Sequence, residues 1–214
     1  MAHNILLDRD IREPLFDYLD EKYGKNRILE EKTMGRSRAD VVMVLPALVV
    51  GIEIKSDADS YTRLSRQVKD YDLFYDQNYI VVGSTHAAHA AEHVPDYWGI
   101  LSVEMIGDAV DFYMVREAKD NPKRLMQNKL SLLWRPELAH IQALNDMAEY
   151  KRQSKAFVME KILNTVSEET LHFMISEELF ERDYTTIAET INTFREEIGR
   201  KPRVAKRKRR RRKK

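Results

Sequence analysis

The sequence predicts an α/β fold: one mixed sheet flanked by helices, followed by a helical C-terminal region. Three observations predict it. Val41, Val42, Val44, Val49, Val50, Ile52 and Ile54 supply the β-branched centre of a sheet. Six of the seven glycines lie at or before Gly107, and none falls between Gly107 and Gly199. From Pro122 onwards the pattern is helical throughout.

The elements follow in order. Ile11, Leu15, Leu19 and Tyr23 form one stripe, with Phe16 and Tyr18 beside it, which predicts a helix over 11–23 that Gly24 ends. Strands are expected at 27–33, 39–45 and 48–55, the last two joined by a turn at Pro46-Ala47. A second helix is expected over 60–74, opened by Asp59 or Ser60 as a cap. Residues 79–83 form an apolar strand, 87–92 a small-residue helix, and 100–104 and 110–115 two further strands. In the helical region, Pro136 stands at a first helical position. Residues 154–166 carry Phe157, Val158, Ile162 and Leu163 at helical spacing. Ser167 before Glu168 and Glu169 marks another start, because acids in a first turn complement the helix dipole. The stretch 171–198 is helical, with a break near Asp183-Tyr184. These elements divide the chain into an α/β domain over 1–116, a helical region over 117–200 and a basic tail over 201–214.

Net charge is +1, from 36 Lys plus Arg against 35 Asp plus Glu. With eleven of the 36 basic residues in 201–214, the first 200 residues hold 25 basic side chains against all 35 acids. Cysteine is absent, which excludes thiol nucleophiles, Cys-ligated zinc and disulfides. Residues 1–10 lack the pattern of a signal peptide, and the longest apolar run, 41–50, is far shorter than the roughly 20 residues a bilayer requires. A cytoplasmic protein is expected, nucleoid-associated in a bacterium, or nuclear if the tail acts as an import signal.

The chemistry-bearing segment is Arg38-Ala39-Asp40, then Glu53-Ile54-Lys55. Alternate strand residues share a face, so Glu53 and Lys55 point one way while Ile52 and Ile54 enter the apolar layer. If Asp40 and Glu53 lie on neighbouring strands, their carboxylates converge on one cation, and hard oxygen ligands suit Mg²⁺. Lys55 is placed to orient or deprotonate a water, or to stabilise a phosphate oxyanion. Without a cation the same three residues are an ordinary surface salt bridge. The apolar surroundings favour the metal, because an unpaired charge there is costly.

These residues resemble the PD-(D/E)XK nuclease superfamily, with Ala39 in place of its proline. Gln67-Val68-Lys69-Asp70-Tyr71 is similar to the Q-x-x-x-Y element of its RecB-like and lambda-exonuclease-like branch. The resemblance covers residues 1 to about 116 and is most specific from Arg38 through Tyr71. It implies a restriction-endonuclease-like core and Mg²⁺- or Mn²⁺-dependent hydrolysis of DNA by a metal-activated water, leaving a 5′ phosphate. Repair, recombination or phage DNA processing is the implied setting. Asp40, Glu53, Lys55, Gln67 and Tyr71 are the implied catalytic residues. An early acid completes the metal site: Glu31 is favoured over Glu30, with Glu13 in reserve. Arg63, Gln67 and Tyr71 recur every four residues and form one helix stripe. That stripe is expected to face the carboxylates, with Arg38 and Arg63 on the DNA backbone.

His86, His89 and His93 share a helix side at i, i+3, i+7, a spacing that invites zinc. With no fourth ligand nearby they read as a solvent-facing or substrate-facing helix. Nine consecutive basic residues at 206–214 cannot fold alone and attract polyanions. Lys206, Arg207, Lys208, Arg209, Arg210, Arg211 and Arg212 are therefore expected to bind DNA phosphates, or to lie back on the acidic body. Two rivals remain: a nucleic-acid-binding protein that keeps the fold without catalysis, and a regulatory protein that meets a protein partner through its helical region.

Overall fold

The computed structural model describes residues 6–183 together with Thr186, Glu189 and Thr193. The first helix, α1 (Asp8–Tyr23), starts earlier than its apolar stripe, because the Asp10 carboxylate takes the backbone N–H of Leu7 at 3.1 Å. Pro14 lies inside it. Three strands follow, β1 (Arg27–Met34), β2 (Ser37–Leu45) and β3 (Leu48–Lys55), paired antiparallel in turn. The β2–β3 turn is Pro46-Ala47, with Ala47 at φ +60°. A 3₁₀ turn at Tyr61–Arg63 leads into α2 (Leu64–Phe74), and β4 (Gln77–Gly83) then pairs parallel to β3.

Where one small-residue helix was expected there are two single turns, α3 (Ser84–Ala87) and α4 (Ala90–His93). The expected cap of α2 also differs. The Asp59 carboxylate turns back to Ser56, taking its N–H at 2.9 Å and its hydroxyl at 2.7 Å, and Ser60 makes no side-chain cap bond. Strand β5 (Gly99–Ile106) runs parallel to β4, and β6 (Ala109–Arg116) closes antiparallel on β5. The sheet is thus six-stranded and mixed, in the order β1-β2-β3-β4-β5-β6.

Both faces of the sheet's centre are buried, by different layers, while β6 leaves Tyr113 and Val115 exposed. On one face Val41, Met43, Ile52, Ile54 and Val81 meet Ile11, Leu15 and Leu19 of α1. On the other, Val42, Val49, Ile80 and Val82 meet α2 and four later helices: α5 (Met126–Ser131), α6 (Arg135–Leu144), α7 (Lys155–Thr165) and α8 (Glu168–Phe180). Ser154 caps α7 by accepting the N–H of Phe157 at 3.2 Å, and Ser167 opens α8 by accepting that of Thr170 at 3.2 Å. Pro136 stands one place later than expected, at the second residue of α6. The helical region through Phe180 therefore shares its core with the sheet and forms one unit with it, while Glu181 onwards is a second unit. Beyond Asp183 the expected helix is described only at Thr186, Glu189 and Thr193, and the basic tail lies outside the described residues.

A buried ionic knot ties this second layer down. Lys129 on α5, fully buried, meets Asp76 at 2.6 Å, and Arg124 meets the same carboxylate at 3.0 Å. Asp76 also accepts the N–H of Val49 at 2.7 Å, which fastens the start of β3 to α5. No helix among the described residues is long and apolar enough to cross a membrane.

Candidate functional site

The site forms where β2 and β3 separate. Their ladder runs from Leu45 opposite Leu48 to Val41 opposite Ile52, so the register carries Asp40 to the position facing Glu53. There the pairing stops, and Asp40 Oδ2 instead accepts the N–H of Ile54 at 3.0 Å. Glu53 is only 1% exposed and Lys55 8%. Both point toward α2, away from the layer that holds Ile52 and Ile54.

Helix α2 supplies the support. Val68 and Phe74 face the core, which turns Gln67 and Tyr71 onto the end of β3. Lys55 Nζ donates to Glu53 Oε1 at 2.6 Å, and Gln67 Nε2 donates to the same oxygen. The Tyr71 hydroxyl lies 2.9 Å from Glu53 Oε2 and 3.1 Å from the carbonyl of Ile52, and it accepts the N–H of Asp40 at 3.2 Å. One phenol therefore spans both strands at the point where they part. Burial, then the charges of Glu53 and Asp40, push its ionisation far above the usual range, so it stays a neutral donor.

Gly51 makes this approach possible. A Cβ there would lie 2.3 Å from the Tyr75 ring and 2.6 Å from that of Tyr71. Both rings are fully buried and have no room to retreat.

Burial, followed by the charge of Glu53, pushes the Asp40 carboxyl up to about 7, against the opposing pulls of Ile54 N–H, Lys55 and Arg12. A carboxylate has about four acceptor positions. The three donors on Glu53 leave one open, and Asp40 Oδ1 has only a long contact with Arg12, 3.7 Å. The amide oxygen of Gln67 is buried with no partner among the described residues.

Of the residues expected here, Asp40, Glu53, Lys55, Gln67 and Tyr71 come together. Glu31 comes close but is engaged elsewhere. Glu30 pairs with Val41 and Lys32 with Ala39, so Glu31 falls opposite Asp40. Its φ of +54° takes it out of the ladder, and its carboxylate meets Arg12 at 3.1 Å and Arg38 at 2.5 Å. Glu30 also meets Arg12, at 3.3 Å, and Glu13 is exposed. Arg38 therefore has an internal partner. Arg63 lies on the 3₁₀ turn before α2, one turn short of the expected helix stripe, and is exposed.

The histidines do not share a helix side. His86 and His93 flank the Tyr61 ring at 5.0 and 4.1 Å, and His89 pairs with Glu92 at 3.0 Å. Lys206 through Arg212 lie outside the described residues.

Arg12 is the member that sequence reasoning missed. It adjoins the buried stripe of α1, and only the register of β1 on β2 brings Glu30, Glu31 and Asp40 to it. Burial works to lower its ionisation, but the bond to Asp8 and the charges of Asp8, Asp40 and Glu31 hold it above the ordinary value.

The chain belongs to the bacteriophage P4 protein cII family, whose match extends over residues 1–199. Among solved structures, it is similar to SfsA of Pyrococcus furiosus, determined in complex with Ca²⁺, at 16% identity and a TM-score of 0.35. That likeness spans 54% of this chain and 66% of the SfsA chain, just under two thirds, and is too loose to bear on the chemistry. No curated protein matches.

Proposed function

We propose that the protein is a divalent-metal-dependent nuclease of the PD-(D/E)XK type that hydrolyses phosphodiester bonds in DNA. One observation carries this reading: Asp40, half-buried, and Glu53, buried, stand opposite each other on parting strands, with Lys55 on the Glu53 carboxylate. Two carboxylates so placed repel each other in a medium that solvates them poorly, and a cation relieves both.

The donor set fits Mg²⁺ or Mn²⁺. Among the described residues no three His, Cys, Asp or Glu side chains are grouped to hold a metal, but Mg²⁺ typically takes one or two carboxylates and keeps several waters. Asp40, through Oδ1, and Glu53, through its open position, would hold the ion. When bound it would acidify a water and offset charge on the phosphoryl group.

The protein groups do the rest. Gln67 and Tyr71 fix the Glu53 carboxylate, and Ile54 N–H fixes Asp40. The Lys55 ammonium, held by Glu53, orients the attacking water or stabilises the oxyanion that forms. Exposed Arg63 and the basic run from Lys206 through Arg212 attract the phosphate backbone.

A second reading, DNA binding without cleavage, draws on the donors already engaged by Glu53, which would serve equally as an internal ionic cluster. One experiment separates the two. Linear, circular, branched and single-stranded DNA are incubated with the protein in Mg²⁺, in Mn²⁺ and in EDTA. Cleavage is expected only with metal, and Glu53→Gln or Lys55→Ala should slow it about 10²-fold or more while leaving binding intact. Equal cleavage by variant and parent would remove the catalytic assignment. Binding with no cleavage under any condition would favour the second reading.

A further inference from the structure

The nuclease reading leaves a row of acids across the sheet, Glu31, Asp40 and Glu53, that invites a second ion beside the first. The structure shows what stands there instead. The guanidinium of Arg12, with its side chain only 15% exposed, is surrounded by four carboxylates and a carbonyl. Its Nε meets Asp8 at 2.8 Å, and one terminal nitrogen meets Glu30 at 3.3 Å and the Asp40 carbonyl at 3.2 Å. The other terminal nitrogen meets Glu31 at 3.1 Å and Asp40 Oδ1 at 3.7 Å.

We infer that Arg12 is a positioning residue that acts as a fixed internal cation: it withdraws Glu30 and Glu31 from metal binding, holds Asp40 toward Glu53, and limits the site to one divalent ion. The inference rests on the nuclease reading and specifies its metal stoichiometry.

Three features support it. A guanidinium presents donors in a rigid planar fork, so it occupies several carboxylates at fixed angles. Glu31 is held from two sides, by Arg12 and by Arg38 at 2.5 Å, in a backbone conformation that takes it out of the ladder. Charge agrees with the geometry. With every group ionised, Asp8, Glu30, Glu31, Asp40 and Glu53 face Arg12, Arg38 and Lys55, leaving two negative charges, the complement of one divalent ion.

The test is Mn²⁺ stoichiometry, read by the loss of the free-ion EPR signal as protein is added, on the full chain. The parent is expected to bind one ion, and Asp40→Asn to bind it at least tenfold more weakly. Arg12→Gln should bind two, because the outer acids are released. Glu31→Gln in the Arg12-containing protein should change affinity for the first ion less than threefold. A parent that binds two ions, a Glu31→Gln variant weakened tenfold, or an Arg12→Gln variant that still binds one overturns the inference and leaves the nuclease reading standing. A parent that binds none overturns both. Should Arg12→Gln fail to fold, the Glu31→Gln result decides alone, since a true ligand and an arginine partner differ there.

Discussion

Replacing Asp40 by Asn in the metal-free protein is expected to stabilise it, by an amount that depends on pH. Burial, followed by the charge of Glu53, moves the Asp40 carboxyl from 3.8 to about 7. Across that interval the folded chain holds a proton that the unfolded chain has released. The stability this group confers is intact below the unfolded value and is lost as the pH rises through the folded one. At about 1.36 kcal/mol per unit, the loss reaches about 1.7 kcal/mol at pH 5 and about 4 kcal/mol at pH 8. Asn carries no charge and keeps an acceptor for Ile54 N–H, which Oδ2 takes at 3.0 Å in the parent. The stability advantage of the variant should therefore widen by about 2.5 kcal/mol between pH 5 and pH 8. Urea unfolding in EDTA at the two pH values measures it, provided the slopes match. Mn²⁺ at a concentration that saturates the parent should raise the parent's midpoint and raise the variant's by less. An advantage that stays flat with pH would refute the claim that Asp40 is held in its place against its own ionisation.

Other perturbations reach other parts of the structure. Gly51→Ala drives a methyl toward two buried tyrosine rings, 2.3 and 2.6 Å away, and should cost about 3 kcal/mol of unfolding free energy in a urea titration. Lys129→Met leaves Asp76 without its 2.6 Å partner; with Arg124 remaining, a loss of about 3 kcal/mol is expected from guanidinium unfolding. Deleting residues 201–214 should weaken DNA binding and flatten its salt dependence by roughly 0.9 in log–log slope for each phosphate that the tail neutralises in the parent. Fluorescence anisotropy at several salt concentrations reads this, and an unchanged slope would remove the tail from the DNA interface.

Much of the site was legible because a two-residue turn fixes a register. With Pro46 and Ala47 at the turn, Leu45 must face Leu48, and counting outward brings Asp40 to Glu53 without any knowledge of side-chain contacts. Alternation then places Glu53 and Lys55 together, and the four-residue spacing of Gln67 and Tyr71 places both over them. What sequence does not carry is the choice among long polar side chains. Arg12 meets Asp8 by helical spacing, but it reaches Glu30, Glu31 and Asp40 only because tertiary packing brings its side chain to β1 and β2, which periodicity does not record. For the same reason Glu31, in line with Asp40 by register, turns to arginines. The Asp76–Lys129 pair joins residues far apart in sequence, and neither has a local signature. The split between α3 and α4 also escaped, because small residues fill a helix or a pair of turns equally well.

The helices after β6 do more than follow the sheet. Leu130, Leu138, Val158, Ile162, Leu171 and Ile175 are buried in the same core as Tyr71, Tyr75 and Trp98, so the helix that carries Gln67 and Tyr71 has one flank covered by this layer while Ser65, Arg66 and Lys69 stay exposed. A chain cut at the end of β6 would expose that flank to water. A relative that lacks these four helices must therefore supply another cover for the back of α2, from an insertion, a subunit or a bound partner, and its sequence should change there even where Asp40, Glu53 and Lys55 have unchanged counterparts.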